Sequence, residues 1–205
     1  MNDEYLGGMK GTFGAMFDYA INNCSMDGDE FMDMMICSGI ANQIEHTNPK
    51  FVAGRSGIEL ARDIADEIGY DLKENSSVIT VDSRSADYWC GWALIQYQNY
   101  SGHSFKQIHR LIKYNELLNM YPKYHQMDIT KLYNYLDDLQ RKRKNLLKKQ
   151  REAAGLSQSE LAERSGTSLR TLQAYEQGVK DIRKAQVETV KKLAESIGCE
   201  IDDII

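Results

Sequence analysis

The side chains with chemistry to offer fall into two sets, one scattered and one dense. In residues 1–125 the four histidines His46, His103, His109 and His125 show no His-x-x-x-His spacing, no Gly-x-Ser-x-Gly occurs, and no glycine-rich loop follows a strand-like run. Nothing there supplies nucleophile, base and metal together, so an enzyme is not expected, nor any cofactor or metal. The histidines read as surface or satisfied polar groups. The acidic cluster Asp27, Asp29, Glu30 and Asp33 lacks the ligand pattern of a calcium loop and reads as the acidic start of a helix. Cys24, Cys37, Cys90 and Cys199 form no Cys-x-x-Cys pair and read as reduced, mostly buried small apolar residues. The dense set lies in residues 139–184, with 12 Lys or Arg against 5 Asp or Glu, a local surplus suited to phosphate.

The whole-chain balance hides that surplus, because the 205 residues carry a formal charge of −5. Residues 1–125 hold 10 basic against 17 acidic side chains, a net of −7, and residues 126–205 hold 15 against 13, a net of +2. With 42% apolar and 27% charged residues the composition is globular and sufficient for packed cores, and the length suggests two domains. No stretch approaches the roughly 20 uninterrupted apolar residues of a membrane span. The start, Met1-Asn2-Asp3-Glu4, lacks the basic-then-apolar pattern of a secretion signal. The expectation is a cytoplasmic protein with no membrane partner.

The elements that must position these residues are helical. Prolines occur only at positions 49 and 122, and β-branched runs are scarce, so the fold class expected is all-α. The spacing predicts an imperfect amphipathic helix over residues 29–45. Over 56–68 it predicts a cleaner one, with a Ser56–Glu59 capping box and Gly69 as terminator. Val78-Ile79-Thr80-Val81 is the one β-like run and reads equally as an isolated strand or an extended loop. Residues 88–97, rich in Tyr and Trp, read as a buried helix ended by Ser101-Gly102, and Ser104 caps a helix to about residue 120 with Ile108, Ile112 and Leu117 inward. Tyr121-Pro122 should stop it. From Asp128 a helix over 129–139 runs into Arg141-Lys142-Arg143-Lys144. Three segments follow: an acidic helical domain over 1–125, a helical connector over 126–145, and a second domain over 146–205.

That second domain has a sharper pattern. A basic helix over 147–154 ends at Gly155, Ser157-Gln158-Ser159-Glu160 forms a capping box, and Gly166 permits a tight left-handed turn. Ser168 caps a third helix, with Leu172 and Tyr175 inward and Gly178 at its end. Two short capped helices joined by a glycine turn make a helix-turn-helix unit. The string from Gly155 to Ala162, then Ser165-Gly166-Thr167-Ser168, Thr171-Leu172 and Tyr175-Glu176-Gln177-Gly178, resembles the Cro/repressor (XRE) helix-turn-helix family over residues 146–205, including a later helix over 185–197.

The resemblance implies a five-helix domain whose third helix enters the major groove of double-stranded DNA with its amino-terminal end toward the bases. It then assigns roles. Ser168, Leu169, Arg170, Thr171 and Gln173 lie at the exposed start of that helix, where Arg170 can donate twice to guanine O6 and N7 and Leu169 can meet a thymine methyl. Ser157 and Gln158 sit at the amino end of the second helix, suited to phosphate, and Lys148, Lys149, Lys180, Arg183 and Lys184 are further phosphate candidates. The resemblance also implies a structural pair of Arg151 with Glu176. Leu169 and Ala174 stand where the family often has polar readers, so readout is expected to lean on Arg170 and on DNA shape.

The chain as a whole resembles XRE-type regulators with an extra amino-terminal helical domain, often antitoxins. Two readings follow. In the first the acidic domain binds a cognate protein, a toxin, while the basic domain represses its own operon. In the second the protein is a one-component repressor sensing a small ligand in a pocket among Trp89, Trp92, Tyr97 and Ile112. Tyr88, Trp89, Trp92, Tyr97 and Tyr100 read as core or as an aromatic partner-binding face, and residues 48–57 as an inter-helix loop or a contact surface. A homodimer on an operator of two half-sites is expected under either reading.

Overall fold

The computed structural model describes residues 3–75, 79–144 and 146–205. Their regular structure is all helical, and among the described residues there is no strand. The chain divides into two compact units, Met1–Asn134 and Tyr135–Ile205, a division that falls inside the connector expected over 126–145.

In the first unit α1 (Asp3–Asp18) continues into a π-helical turn, Tyr19–Asn23. There follow α2 (Gly28–Cys37), α3 (Ile40–Glu45), α4 (Pro49–Val52), α5 (Gly57–Glu67), α6 (Ala86–Ser101), α7 (Phe105–Leu111), α8 (Tyr114–Leu118) and α9 (Tyr121–Tyr124). α10 (Thr130–Lys144) crosses the division between the units. α1 is the spine, packed against α5 and α6. Two glycines let those helices approach at backbone distance: a Cβ on Gly91 would stand 2.2 Å from the Phe13 carbonyl oxygen, and one on Gly57 2.4 Å from that of Thr12. Around the spine Phe13 stacks on Phe105 (ring centroids 5.3 Å) and Phe17 on Tyr114 (5.4 Å), while Phe31 meets Phe17 edge-on (5.2 Å).

Helix starts follow the capping residues. Ser56 with Glu59 and Ser104 with Gln107 close full capping boxes, and Ser85 caps α6. Helix interiors depart from expectation at two places. The helix expected over 29–45 is broken after Cys37, because Gly39 takes a left-handed conformation (φ 78°) and the Ser38 hydroxyl accepts from the Ile40 N–H. The helix expected from Ser104 to about 120 breaks at Ile112, which is extended (φ −144°, ψ 128°). There the Tyr114 N–H donates to Asp29 Oδ1 at 2.7 Å, a carboxylate borrowed from α2 to cap α8. Tyr121-Pro122 opens a short helix rather than stopping one, since proline is tolerated in a first turn.

Of the two readings given to the histidines, surface group or satisfied polar group, His109 does not take the first. It is buried, with Nε2 3.3 Å from Asp33 and 3.1 Å from the Lys113 ammonium, and Nδ1 3.8 Å from Asp29. Of the cysteines, Cys24 and Cys90 are buried, Cys199 is half-buried and Cys37 is exposed, all unpaired. Trp89, Tyr97 and Ile112 are buried in the first unit and Tyr100 is exposed. Residues 79–81 of the β-like run are irregular, and Val78 lies outside the described residues. Among those residues no helix is long and apolar enough to cross a membrane.

The second unit holds α11 (Leu146–Ala153), α12 (Gln158–Ser165), α13 (Leu169–Glu176) and α14 (Val187–Ile197), with 3₁₀ turns at Ile182–Lys184 and Ile201–Asp203. Where the resemblance implies five helices, the unit has four α-helices and these two 3₁₀ turns. Leu147, Leu156, Leu161, Leu172, Val190, Leu193 and Ile204 form one core, with Tyr175 and Ile197 packed against it.

Candidate nucleic-acid interface

α12 and α13 are set by local chemistry. The Ser157 hydroxyl accepts from the Glu160 N–H (3.2 Å) and the Glu160 carboxylate accepts from the Ser157 N–H (2.7 Å), which fixes the start of α12 and holds the Glu160 carboxyl below its ordinary pKa. Gly166 ends α12 in a left-handed conformation (φ 65°), and Ser168 caps α13 by accepting from the Thr171 N–H (3.2 Å). The Ser168 hydroxyl also donates to Thr171 Oγ1 (2.8 Å). Both serines expected at the interface thus spend their hydroxyls on helix starts. The first N–H groups of each helix, those of Gln158 and Ser159 and of Leu169 and Arg170, have no acceptor within the helix and favour an anion.

Leu172 and Glu176 face inward from α13, which leaves the opposite side to solvent. Leu169 and Arg170 are exposed, and Thr171 and Gln173 are half-buried. Arg170 has no ion-pair or hydrogen-bond partner among the described residues. On a helix, positions 170, 173, 174 and 177 share one face, so Gln177, exposed at the end of α13, joins Arg170 and Gln173. Its signal in the sequence is a spacing of seven from Arg170.

Behind that face lies a buried polar network. Arg151 Nε and Nη2 donate to the two Glu176 oxygens at 2.6 and 3.0 Å, and Nη1 donates to the Leu156 carbonyl at 2.7 Å. Both residues are almost completely buried, and the pair raises the Arg151 pKa through the Glu176 hydrogen bonds, against its burial. Gln158 donates to Glu176 Oε2 (2.7 Å) and accepts from Gln173 Nε2 (3.3 Å). A chain of polar contacts therefore runs from the α11 cation through Glu176 and Gln158 to Gln173 on the exposed helix.

The surrounding cations differ in freedom. Lys149, Arg164, Lys180 and Lys184 are exposed, with no carboxylate within 4 Å among the described residues. Arg183 is turned onto Asp181 (2.9 and 3.1 Å), and Lys148 lies 3.8 Å from Glu152. Arg141 pairs with Asp138 at 2.8 Å, and the Arg143 and Lys144 side chains lie outside the described residues. Among the described residues no three His, Cys, Asp or Glu side chains are grouped as metal ligands. The arrangement offers hydrogen-bond donors and cations on rigid helices, which is equipment for binding a polyanion.

No curated protein and no solved structure matches this chain. Residues 147–204 match the family model described as helix-turn-helix, the XRE-type family. The chain therefore carries an XRE-type helix-turn-helix domain over those residues and is a DNA-binding transcription regulator.

Proposed function

We propose that the protein is a sequence-specific repressor of the antitoxin kind. The second unit sets α13 in the major groove of a double-stranded operator, and the first unit binds a cognate protein partner, a toxin, so that the chain governs its own operon in the cytoplasm. The observation that carries the DNA reading is Arg170: exposed and unpaired among the described residues, on a helix whose other side is anchored in the core. Arg170 reads guanine, Gln173 is held ready by Gln158, Leu169 meets a thymine methyl, and Thr171 stands beside them. The amino ends of α12 and α13, at Ser157, Gln158 and Ser168, with Lys180, hold phosphates and set register.

Unit-wide charge supports the partner role, since a surplus of acid over base in residues 1–125 repels DNA and suits a basic protein surface. A homodimer on half-sites about one helical turn apart completes the reading. Sequencing of DNA cross-linked to the full chain in its host tests the repressor; the expected result is a paired motif upstream of its own gene, and dispersed non-specific recovery would contradict it. Co-expression with the adjacent gene tests the antitoxin role. Rescue from that gene's toxicity is expected, and neither toxicity nor complex would contradict it.

A further inference from the structure

We infer that Gln158 is a positioning residue for base readout: backed by the buried Arg151–Glu176 pair, it fixes the sense of the Gln173 amide so that Gln173 reads adenine. This rests on the reading that α13 enters the major groove, and it names a base that reading leaves open.

The chain of contacts starts from a group that can only accept. The Glu176 carboxylate is almost completely buried and takes Arg151 Nε and Nη2 at 2.6 and 3.0 Å. It has no proton to offer a third partner. Its contact with Gln158, at 2.7 Å, is therefore made by the Nε2 end of that amide. The Gln158 carbonyl oxygen is thereby the end left for Gln173, whose Nε2 stands 3.3 Å from it. An amide oxygen accepts, so Gln173 must give an N–H. Each amide takes its orientation from the one before it, and the charge of the buried pair sets the sense of the whole chain. Leu169, at the first position of α13, carries no polar side-chain atom to compete for Gln158.

The consequence lies on the side of α13 that faces solvent. A glutamine amide has two N–H donors and one carbonyl oxygen. With one N–H given to Gln158, Gln173 keeps one donor and one acceptor, and neither has a partner among the described residues. The residue is half-buried and shares a helix face with the exposed Arg170. In the major groove adenine offers an acceptor, N7, beside a donor, the N6 amino group, which complements that remaining pair. Guanine offers two acceptors, O6 and N7, which an untethered glutamine can meet with both of its N–H groups. Gln158 withholds one of them. Cytosine presents a donor alone and thymine an acceptor beside a methyl, so an amide held this way makes two bonds to adenine only.

The test uses the full chain and a pool of duplexes with a random central segment, selected by binding at one fixed salt concentration and sequenced. Competition between selected duplexes that differ at one base pair then gives the preference of wild type, Gln173→Ala, Gln158→Met and the double variant. Wild type should prefer adenine over guanine at one position by roughly tenfold or more. Gln173→Ala should lose that preference there and nowhere else. Gln158→Met should let guanine gain until the ratio falls below about threefold, with the urea midpoint of the second unit unchanged, and the double variant should match Gln173→Ala. A wild-type ratio in Gln158→Met would overturn the positioning role while leaving Gln173 a reader. An equal loss at every base pair in Gln158→Met, with a lowered urea midpoint, would overturn it in favour of a purely structural role. Unchanged preference in Gln173→Ala would overturn the adenine assignment with Arg170 readout intact. No enriched motif for wild type would overturn this inference and the major-groove reading together.

Discussion

Arg151 and Glu176 show how much one pair decides in a unit this small. With both charges buried and hydrogen-bonded, Arg151→Ala or Glu176→Ala leaves an uncompensated charge and should cost about 3–5 kcal/mol in urea denaturation of the second unit, while Arg151→Met/Glu176→Leu should cost less than either single change. The pair was legible in sequence only through the family pattern, whereas the tie of Gln158 to Glu176 depends on a side-chain geometry that spacing does not encode. The burial of His109 was not legible, because it comes from α2, α3 and α6 packing against α7. Burial first, with Lys113 beside it, lowers the imidazole pKa, against the pull of Asp33 and Asp29. The folded state thus favours neutral His109, and the unfolded chain binds more protons in the window just below the ordinary histidine value. Stability of the first unit should fall as pH drops from 7.5 to 5.5, and His109→Gln should flatten that dependence. Equal slopes in the two proteins would contradict this.

Among the elements, starts marked by a side-chain cap were legible, as at Ser56, Ser104, Ser157 and Ser168, because the capping oxygen and the donor it serves lie within one turn. Breaks set by tertiary partners were not, and the interruption at Ile112 needs Asp29 from 85 residues earlier to receive the Tyr114 N–H. α1 was hidden by its glycines, which propensity penalises. Those glycines are not equivalent to the one that α6 brings against them. Gly8 has nothing within 4 Å of an added Cβ, so Gly8→Ala should raise stability by about 0.5–1 kcal/mol. Gly91→Ala meets the Phe13 backbone and should cost about 1–3 kcal/mol or more. Urea midpoints moving in the same direction for both would contradict the close packing of α1 on α6.

At the scale of the whole molecule, an acidic chain carries a locally basic helix-turn-helix domain. Counting charge by segment separates an acidic from a basic part of the chain, while the division into compact units falls inside α10, where the sequence carries no signal of a break. Phosphate contacts should make operator binding strongly salt-dependent, and Lys180→Ala should lower the slope of log affinity against log salt by about one without altering sequence preference. The central claim is that α13 reads bases through Arg170. Competition binding of wild type and Arg170→Ala to the operator and to random duplex at one fixed salt concentration tests it most directly. A loss of about 1–3 kcal/mol on the operator is predicted, with affinity for random duplex much less affected and relaxed preference at one base pair. Unchanged operator affinity, or an equal loss on both duplexes, would contradict it.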